Sequence, residues 1–200
     1  RNILTDEFRH EDEIISEAIR RKVHPERVRD IFLGFNDGLV EVLGAVAGFF
    51  AVFGSATSVL AAGFTVAVAG SISMSAGVFA ALSSGREVTE IEKGKKEFLG
   101  ERETKEASER GPMSSAFVVG VSYFIGAMVP VLPVLFGAAN AFASIVAGVA
   151  VAGVVSYVIA ILSGMRVTKR IAINLIVIAV AVTVTYGIGI GAREILGLDL

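Results

Sequence analysis

The chain has 200 residues, of which 54% are hydrophobic and 19% are charged, and its mean hydropathy is +0.70. Soluble domains average about 45–50% apolar and 25% charged residues, so the composition indicates a membrane protein, and the length suits one domain. The net charge of −2 argues against a polycationic nucleic-acid surface, and the lack of cysteine excludes disulfides, thiolate metal sites and cysteine nucleophiles.

The first predicted element is an amphipathic helix over residues 3–22, where apolar residues recur at helical spacing. We assign it to a segment, residues 1–26, that precedes a five-span domain, residues 27–200. Glu7 and His10 lie three positions apart, as in one helix of a four-helix di-iron bundle. A solvated charged face is the alternative interpretation. Pro25 suits the first turn of the next helix.

Five long apolar stretches follow, and each is interpreted as a membrane-spanning helix. A helix needs about 20 residues to cross the hydrocarbon core, and continuous apolar runs argue against strands. The predicted spans are residues 31–54, 58–82, 114–136, 140–165 and 171–192. Uncharged turns at residues 54–55 and 137–140 join the first span to the second and the third to the fourth. The predicted fold class is therefore an all-α membrane protein.

The charged residues predict the orientation of these spans. Seven of the 18 basic residues lie in residues 1–30, seven in 84–112 and three in 166–170. These three segments lie on the same side of the membrane, and Arg193 is the one basic residue on the opposite side. The positive-inside rule then places the N-terminus, the 84–112 segment and the 166–170 loop in the cytoplasm. With five spans, the C-terminus lies outside.

The first span contains Asn36, Asp37 and Glu41, which are costly in a bilayer and usually mark a substrate or ion path. Asp37 and Glu41 lie one helical turn apart on one face. Two such carboxylates are suited to ligate a divalent cation, to exchange protons, or to do both. The alternative for Asp37 is a position near the headgroups, where it caps or pairs with a neighbouring helix.

The second span contains Met74 within a run of serines, together with glycines at every seventh position. A thioether is a soft ligand that favours transition metals over Mg²⁺ or Ca²⁺, although packing is the ordinary role of a membrane methionine. Small residues on one helix side allow neighbouring helices to approach closely. We therefore predict packing roles for Gly63, Gly70 and Gly77.

The third span contains Pro130 and Pro133, which break backbone hydrogen bonds and either kink the helix or end it. Four further polar residues of the spans are interpreted as interhelical hydrogen-bonding groups or interface anchors, with a ligand role as the alternative, namely Tyr123, Tyr157, Tyr186 and Asn174.

Residues 84–112 form a charge-dense cytoplasmic segment whose first part is predicted to continue the second span as a helix. Its seven basic and eight acidic residues are typical of a solvated helix surface. The alternative is a shallow site that collects cations, with Glu87 and Glu90 among its ligands.

Several of these motifs, taken in order, resemble the vacuolar iron transporter family over residues 27–192. The matching runs are Arg29-Asp30-Ile31, Asn36-Asp37-Gly38-Leu39, Ser71-Ile-Ser-Met74-Ser-Ala-Gly77 and Gly126-Ala-Met-Val-Pro130-Val-Leu-Pro133. The resemblance implies a homodimer that moves Fe²⁺, and often Mn²⁺, out of the cytoplasm in exchange for protons. It also implies that Asp37 and Met74 line the metal path.

The chain departs from the plant and fungal pattern of that family at two places. Val78 stands where that branch has a glutamate, and the connection between the second and third spans is short. Glu41, which is outside the plant pattern, is expected to replace the missing acid. The run Glu7-Phe-Arg-His10 is similar to the last helix of the ferritin- or rubrerythrin-like domain that precedes the transporter in a prokaryotic branch. We therefore expect the chain to be the membrane half of such a protein.

The function expected from this resemblance is proton-coupled export of Fe²⁺ or Mn²⁺ by a homodimer. No enzymatic activity, cofactor or nucleic-acid partner is expected. A membrane-anchored ferroxidase or iron-storage module, whose catalytic domain lies outside this chain, is one alternative, and a passive divalent-cation channel is another. The expected location is a prokaryotic plasma membrane, or a vacuolar-type membrane in a eukaryote.

Overall fold

The computed structural model describes residues 25–99, 111–163 and 167–197, and in these residues it contains five α-helices and no strand. The helices are α1 (Pro25–Val52), α2 (Ala56–Phe98), α3 (Pro112–Leu135), α4 (Ala141–Ser163) and α5 (Val167–Leu196). All five are long and apolar enough to cross a membrane. The predicted all-α membrane fold is thereby confirmed. The predicted helix over residues 3–22, with Glu7 and His10, lies outside the described residues.

Helix α1 is the centre of the bundle, because it contacts each of the other four helices. On one side it packs with α2 and α3, where Val42 and Val46 join a core cluster that includes Tyr123. On another side it packs with α4 and α5, where Leu39 and Leu43 join a second core cluster. A single apolar helix therefore holds two groups of helices together.

Contacts between the helices define their directions. Helices α1, α3 and α5 run in one direction, and α2 and α4 run in the other, as short connections between consecutive spans require. These directions follow from the residue pairs that contact each other between helices: Gly34–Val119, Gly38–Tyr123, Asn36–Asn174, Gly44–Thr185, Gly63–Val131, Gly70–Tyr123, Asn174–Ser156 and Gly148–Leu43. Consequently the start of α1, the far end of α2 and the starts of α3 and α5 lie at one end of the bundle.

Helix α2 is much longer than a bilayer is thick. Its 43 residues extend about 65 Å at 1.5 Å per residue, against about 30 Å of hydrocarbon. Every residue from 84 to 99 except Lys93 is exposed. The prediction that the second span continues as a helix into the charged segment is therefore confirmed.

The two prolines of α3 lie inside the helix, which continues to Leu135. Each proline lacks an N–H, so the carbonyl four residues earlier loses its helical donor. The buried Ser144 hydroxyl of α4 donates to the Pro130 carbonyl at 2.8 Å and joins the two helices there. The turn after α3 uses Gly137, whose φ of +95° suits glycine, and the Ala138 N–H donates to the Pro133 carbonyl at 2.9 Å.

A cluster of three polar side chains joins α1, α4 and α5. The Asn174 side-chain amide donates to Asn36 Oδ1 and to Ser156 Oγ, both at 2.9 Å. Ser156 is 1% exposed, so this hydroxyl depends on a protein partner. The interpretation of Asn174 as an interhelical hydrogen-bonding residue agrees with this geometry.

Replacing Asn174 by leucine should destabilise the bundle by about 1 kcal/mol, the usual size of an interhelical hydrogen bond in a membrane protein. Leucine removes the donor for Asn36 and Ser156 while keeping a similar volume. The measurement is the midpoint temperature at which the detergent-solubilised protein loses its monodisperse elution peak. Thr183→Leu, on an exposed part of α5, is the matched control. Equal midpoints for the two variants would show that the cluster adds no stability.

Candidate functional site

The acidic residues of α1 lie on one open stripe of the helix. Asp37 and Glu41 are exposed in the single chain, while Asn36 is half-buried against its partner on α5. Asp37 lies about 18 Å along the axis from the first residue of α1, close to the middle of the 28-residue helix. The two carboxylates therefore lie within the apolar part of the bundle rather than at either end.

The same stripe of α1 is covered farther along by α5. Positions 37, 41, 44 and 48 follow one another at spacings of three and four residues, so they share one face. A Cβ built on Gly48 would lie 2.9 Å from the Thr185 carbonyl oxygen, and the Thr185 hydroxyl donates to the Gly44 carbonyl at 2.6 Å. Helix α5 thus closes one half of the stripe and leaves open the half with the acids.

No cationic side chain in the described part of the chain neutralises the charge of this open face. Asp37 and Glu41 interact electrostatically with each other. In the residues that the structure describes, no ion pair joins either carboxylate to a cationic side chain. A carboxylate in contact with lipid costs several kcal/mol. These two carboxylates therefore need a cation, a proton or a covering surface.

Tyr123 of α3 is the buried polar side chain next to this pair. It is 1% exposed, and its hydroxyl has no hydrogen-bond partner among the described residues. Tyr123 shares a core cluster with Val42, the residue that follows Glu41, and its backbone contacts Gly38, the residue that follows Asp37. The sequence does not distinguish Tyr123 from Tyr157 and Tyr186, because a tyrosine in an apolar run gives no indication of where its hydroxyl points.

Met74 lies on α2, one turn after Gly70, and is half-buried. It packs against the core cluster that includes Tyr123. Met74 therefore belongs to the same cluster as Tyr123. Within the described ranges, no group of three His, Asp or Glu side chains is arranged to hold a metal. On this face the described residues supply two carboxylates and no complete ligand set.

The remaining residues singled out in the sequence fall in different places. Glu87 and Glu90 are exposed on the far part of α2, away from the first acidic pair. Gly70 faces the Tyr123 hydroxyl, whereas nothing lies within 4 Å of a Cβ built on Gly77. A packing role for Gly77 therefore has no partner in the described part of this chain.

The sequence was found to be similar to that of known proteins in one family. The family model described as the VIT family matches residues 28–109 and 96–190. VIT-like transporter 1b of Glycine max is 37% identical over 115 residues, which cover 54% of this chain and 50% of that protein. Vacuolar iron transporter homolog 4 of Arabidopsis thaliana is 34% identical over 109 residues, which cover 54% of each chain.

The chain spans about half the length of the curated relatives that it matches. The family model, in contrast, extends from the start of α1 almost to the end of α5. It includes the acidic stripe, Met74 and Tyr123. The expected prokaryotic branch and the upstream ferritin-like domain stay predictions. The resemblance to vacuolar iron transporters is confirmed at the level of the family: the chain belongs to the VIT family.

Proposed function

We propose that this protein exports a divalent transition-metal ion, Fe²⁺ or Mn²⁺, from the cytoplasm across a membrane in exchange for protons. The observation that supports this most strongly is the pair Asp37 and Glu41 on the open stripe of α1, which has no cationic partner among the described residues. The name of the Arabidopsis relative, a vacuolar iron transporter homolog, agrees with this cargo. No cofactor and no covalent step are required.

The two carboxylates suit both ions of the proposed exchange. As anions they attract and ligate a divalent cation, and as weak acids they take up protons when the cation leaves. A thioether near the path favours softer transition metals over Mg²⁺ and Ca²⁺, which is the role we assign to Met74. Protonation from the outer side then releases the metal away from the cytoplasm.

The proposal includes a homodimer whose two copies face each other across the open stripe of α1. Such an arrangement removes the carboxylates from lipid and brings four of them to one cleft, where one chain offers two. The positive-inside rule places the charged end of the bundle, with the far part of α2, in the cytoplasm. The metal would then enter the cleft from that end.

A thiol cross-link tests the dimer directly, because the chain has no cysteine of its own. Leu33 lies one turn before Asp37 on the open stripe and is 47% exposed, while Ile176 of α5 is 62% exposed. A short bis-maleimide should join two copies of Leu33→Cys in lipid vesicles and leave Ile176→Cys monomeric. Equal cross-linking of both variants, or none at Leu33→Cys, would contradict a dimer across this face.

The transport proposal is tested by anaerobic Fe²⁺ flux in proteoliposomes, with a pH gradient imposed and then collapsed. Uphill Fe²⁺ movement that requires the gradient is the expected result. Flux that ignores the gradient would replace the exchanger with a passive channel. Complete absence of Fe²⁺ and Mn²⁺ flux from correctly folded protein would contradict transport by this chain and favour the storage alternative.

A further inference from the structure

The Tyr123 hydroxyl is a buried polar atom that the packing of the bundle does not explain. Its side chain is 1% exposed, and the hydroxyl has no hydrogen-bond partner in the described residues. A buried hydroxyl without a partner is destabilising, and phenylalanine would fill the same core position without that cost. We therefore expect the hydroxyl oxygen to have a function other than packing.

The surroundings of Tyr123 hold the phenol in one place. Its backbone packs against Gly38 of α1, where a Cβ would come within 2.9 Å of the Tyr123 carbonyl carbon. Its hydroxyl end lies against Gly70 of α2, where any Cβ would overlap it. Gly38 thus allows the backbone of α3 to approach α1 closely, and Gly70 leaves room for the hydroxyl beside α2.

The nearby charges indicate what this hydroxyl acts on. The acids of α1 lie beside Tyr123, because Gly38, three residues before Glu41, contacts the Tyr123 backbone, and Val42, the residue after Glu41, shares a core cluster with Tyr123. Glu41 is exposed and has no cationic partner in the described ranges. A glutamate carboxylate is free to rotate about three side-chain bonds, whereas the Tyr123 ring is fixed between α1 and α2. The fixed donor can therefore orient the mobile acceptor.

We propose that Tyr123 is a positioning residue whose hydroxyl donates to the Glu41 carboxylate and orients it toward the divalent cation shared with Asp37. The role of the cation rests on the proposed function. A carboxylate that accepts one hydrogen bond keeps lone pairs for a metal, and donors to metal-ligating carboxylates typically raise metal affinity tenfold or more. In this arrangement Gly70 has no side chain that would overlap the Tyr123 hydroxyl.

Tyrosine emission tests the contact without any metal or transport. The chain has no tryptophan and three tyrosines, so Tyr157→Phe with Tyr186→Phe leaves Tyr123 as the one emitter. A hydrogen bond from a phenol to a carboxylate quenches tyrosine emission. Adding Glu41→Ala should therefore raise the emission, whereas Glu194→Ala, at the far end of α5, should leave it unchanged. Unchanged emission after Glu41→Ala would overturn the proposed contact.

Fe²⁺ flux tests the positioning role. Tyr123→Phe, which removes one oxygen and keeps the ring, should raise the KM for Fe²⁺ about tenfold with a smaller change in the maximal rate. In a Glu41→Ala background the same replacement should raise the KM no further. Tyr157→Phe, at an exposed tyrosine of α4, is the control and should keep the wild-type KM.

The two experiments separate the possible failures. The same rise in KM with and without Glu41, or no rise at all, would overturn the positioning role while leaving transport intact. A wild-type protein without flux would contradict the proposed function and with it the metal role of Tyr123. The emission result would still decide whether Tyr123 and Glu41 are bonded.

Discussion

Asp37→Asn should reduce the rate of Fe²⁺ flux by about a hundredfold, the upper end of the losses seen when the groups around metal ligands are removed. Asparagine has nearly the same shape as aspartate, so the side chain at position 37 still lies on the open stripe of α1. It removes the negative charge that attracts the cation and the site that takes up a proton. The measurement is the initial rate of Fe²⁺ flux in proteoliposomes, normalised to the reconstituted protein.

Glu194→Gln is the control for that variant, because it removes one negative charge from an exposed position of α5 far from the acidic stripe. It should retain the wild-type rate. Glu41→Gln should fall between the two, since Asp37 remains as a ligand. Wild-type flux in Asp37→Asn would show that the cation does not use this carboxylate.

The second large effect concerns the contact between α1 and α3. In Gly38→Ala the new Cβ would meet the Tyr123 backbone, which cannot move unless the whole of α3 shifts. Overpacking of this kind typically costs about 1–3 kcal/mol. The midpoint temperature for loss of the monodisperse peak should therefore fall clearly below that of the wild type.

Gly187→Ala is the matched control for Gly38→Ala, because nothing lies within 4 Å of a Cβ built at that position of α5. Alanine favours helix over glycine by up to about 1 kcal/mol, so the control should keep or raise the midpoint. If both replacements gave the same midpoint, α1 and α3 would not be in the close contact described above.

Most of the helical fold could be predicted from the sequence, because long uncharged runs have few alternatives in a membrane. Helices α1, α2 and α5 nevertheless extend beyond the predicted spans. Helix α1 begins at Pro25, before the predicted start at residue 31, and α5 continues to Leu196. The reason is physical: hydropathy reports where lipid contact ends, whereas a helix continues as long as its backbone hydrogen bonds do.

The candidate site was predictable where it depends on a single helix. Spacing alone placed Asp37 and Glu41 on one face, and the structure retains that placement. What one helix cannot reveal is its neighbours. The covering of Gly44 and Gly48 by α5, and the contacts of Tyr123 with Gly38 and Gly70, depend on how α1 and α2 meet α3 and α5. No local pattern encodes such contacts.

The claim that the stripe of α1 is the cation site is tested most directly by anomalous diffraction from crystals soaked with Mn²⁺. An anomalous peak within ligand distance of the Asp37 and Glu41 carboxylates is the predicted result. The same soak of Asp37→Asn crystals should lose that peak. Anomalous density confined to the far part of α2, with none along the stripe in the wild-type protein, would contradict the claim.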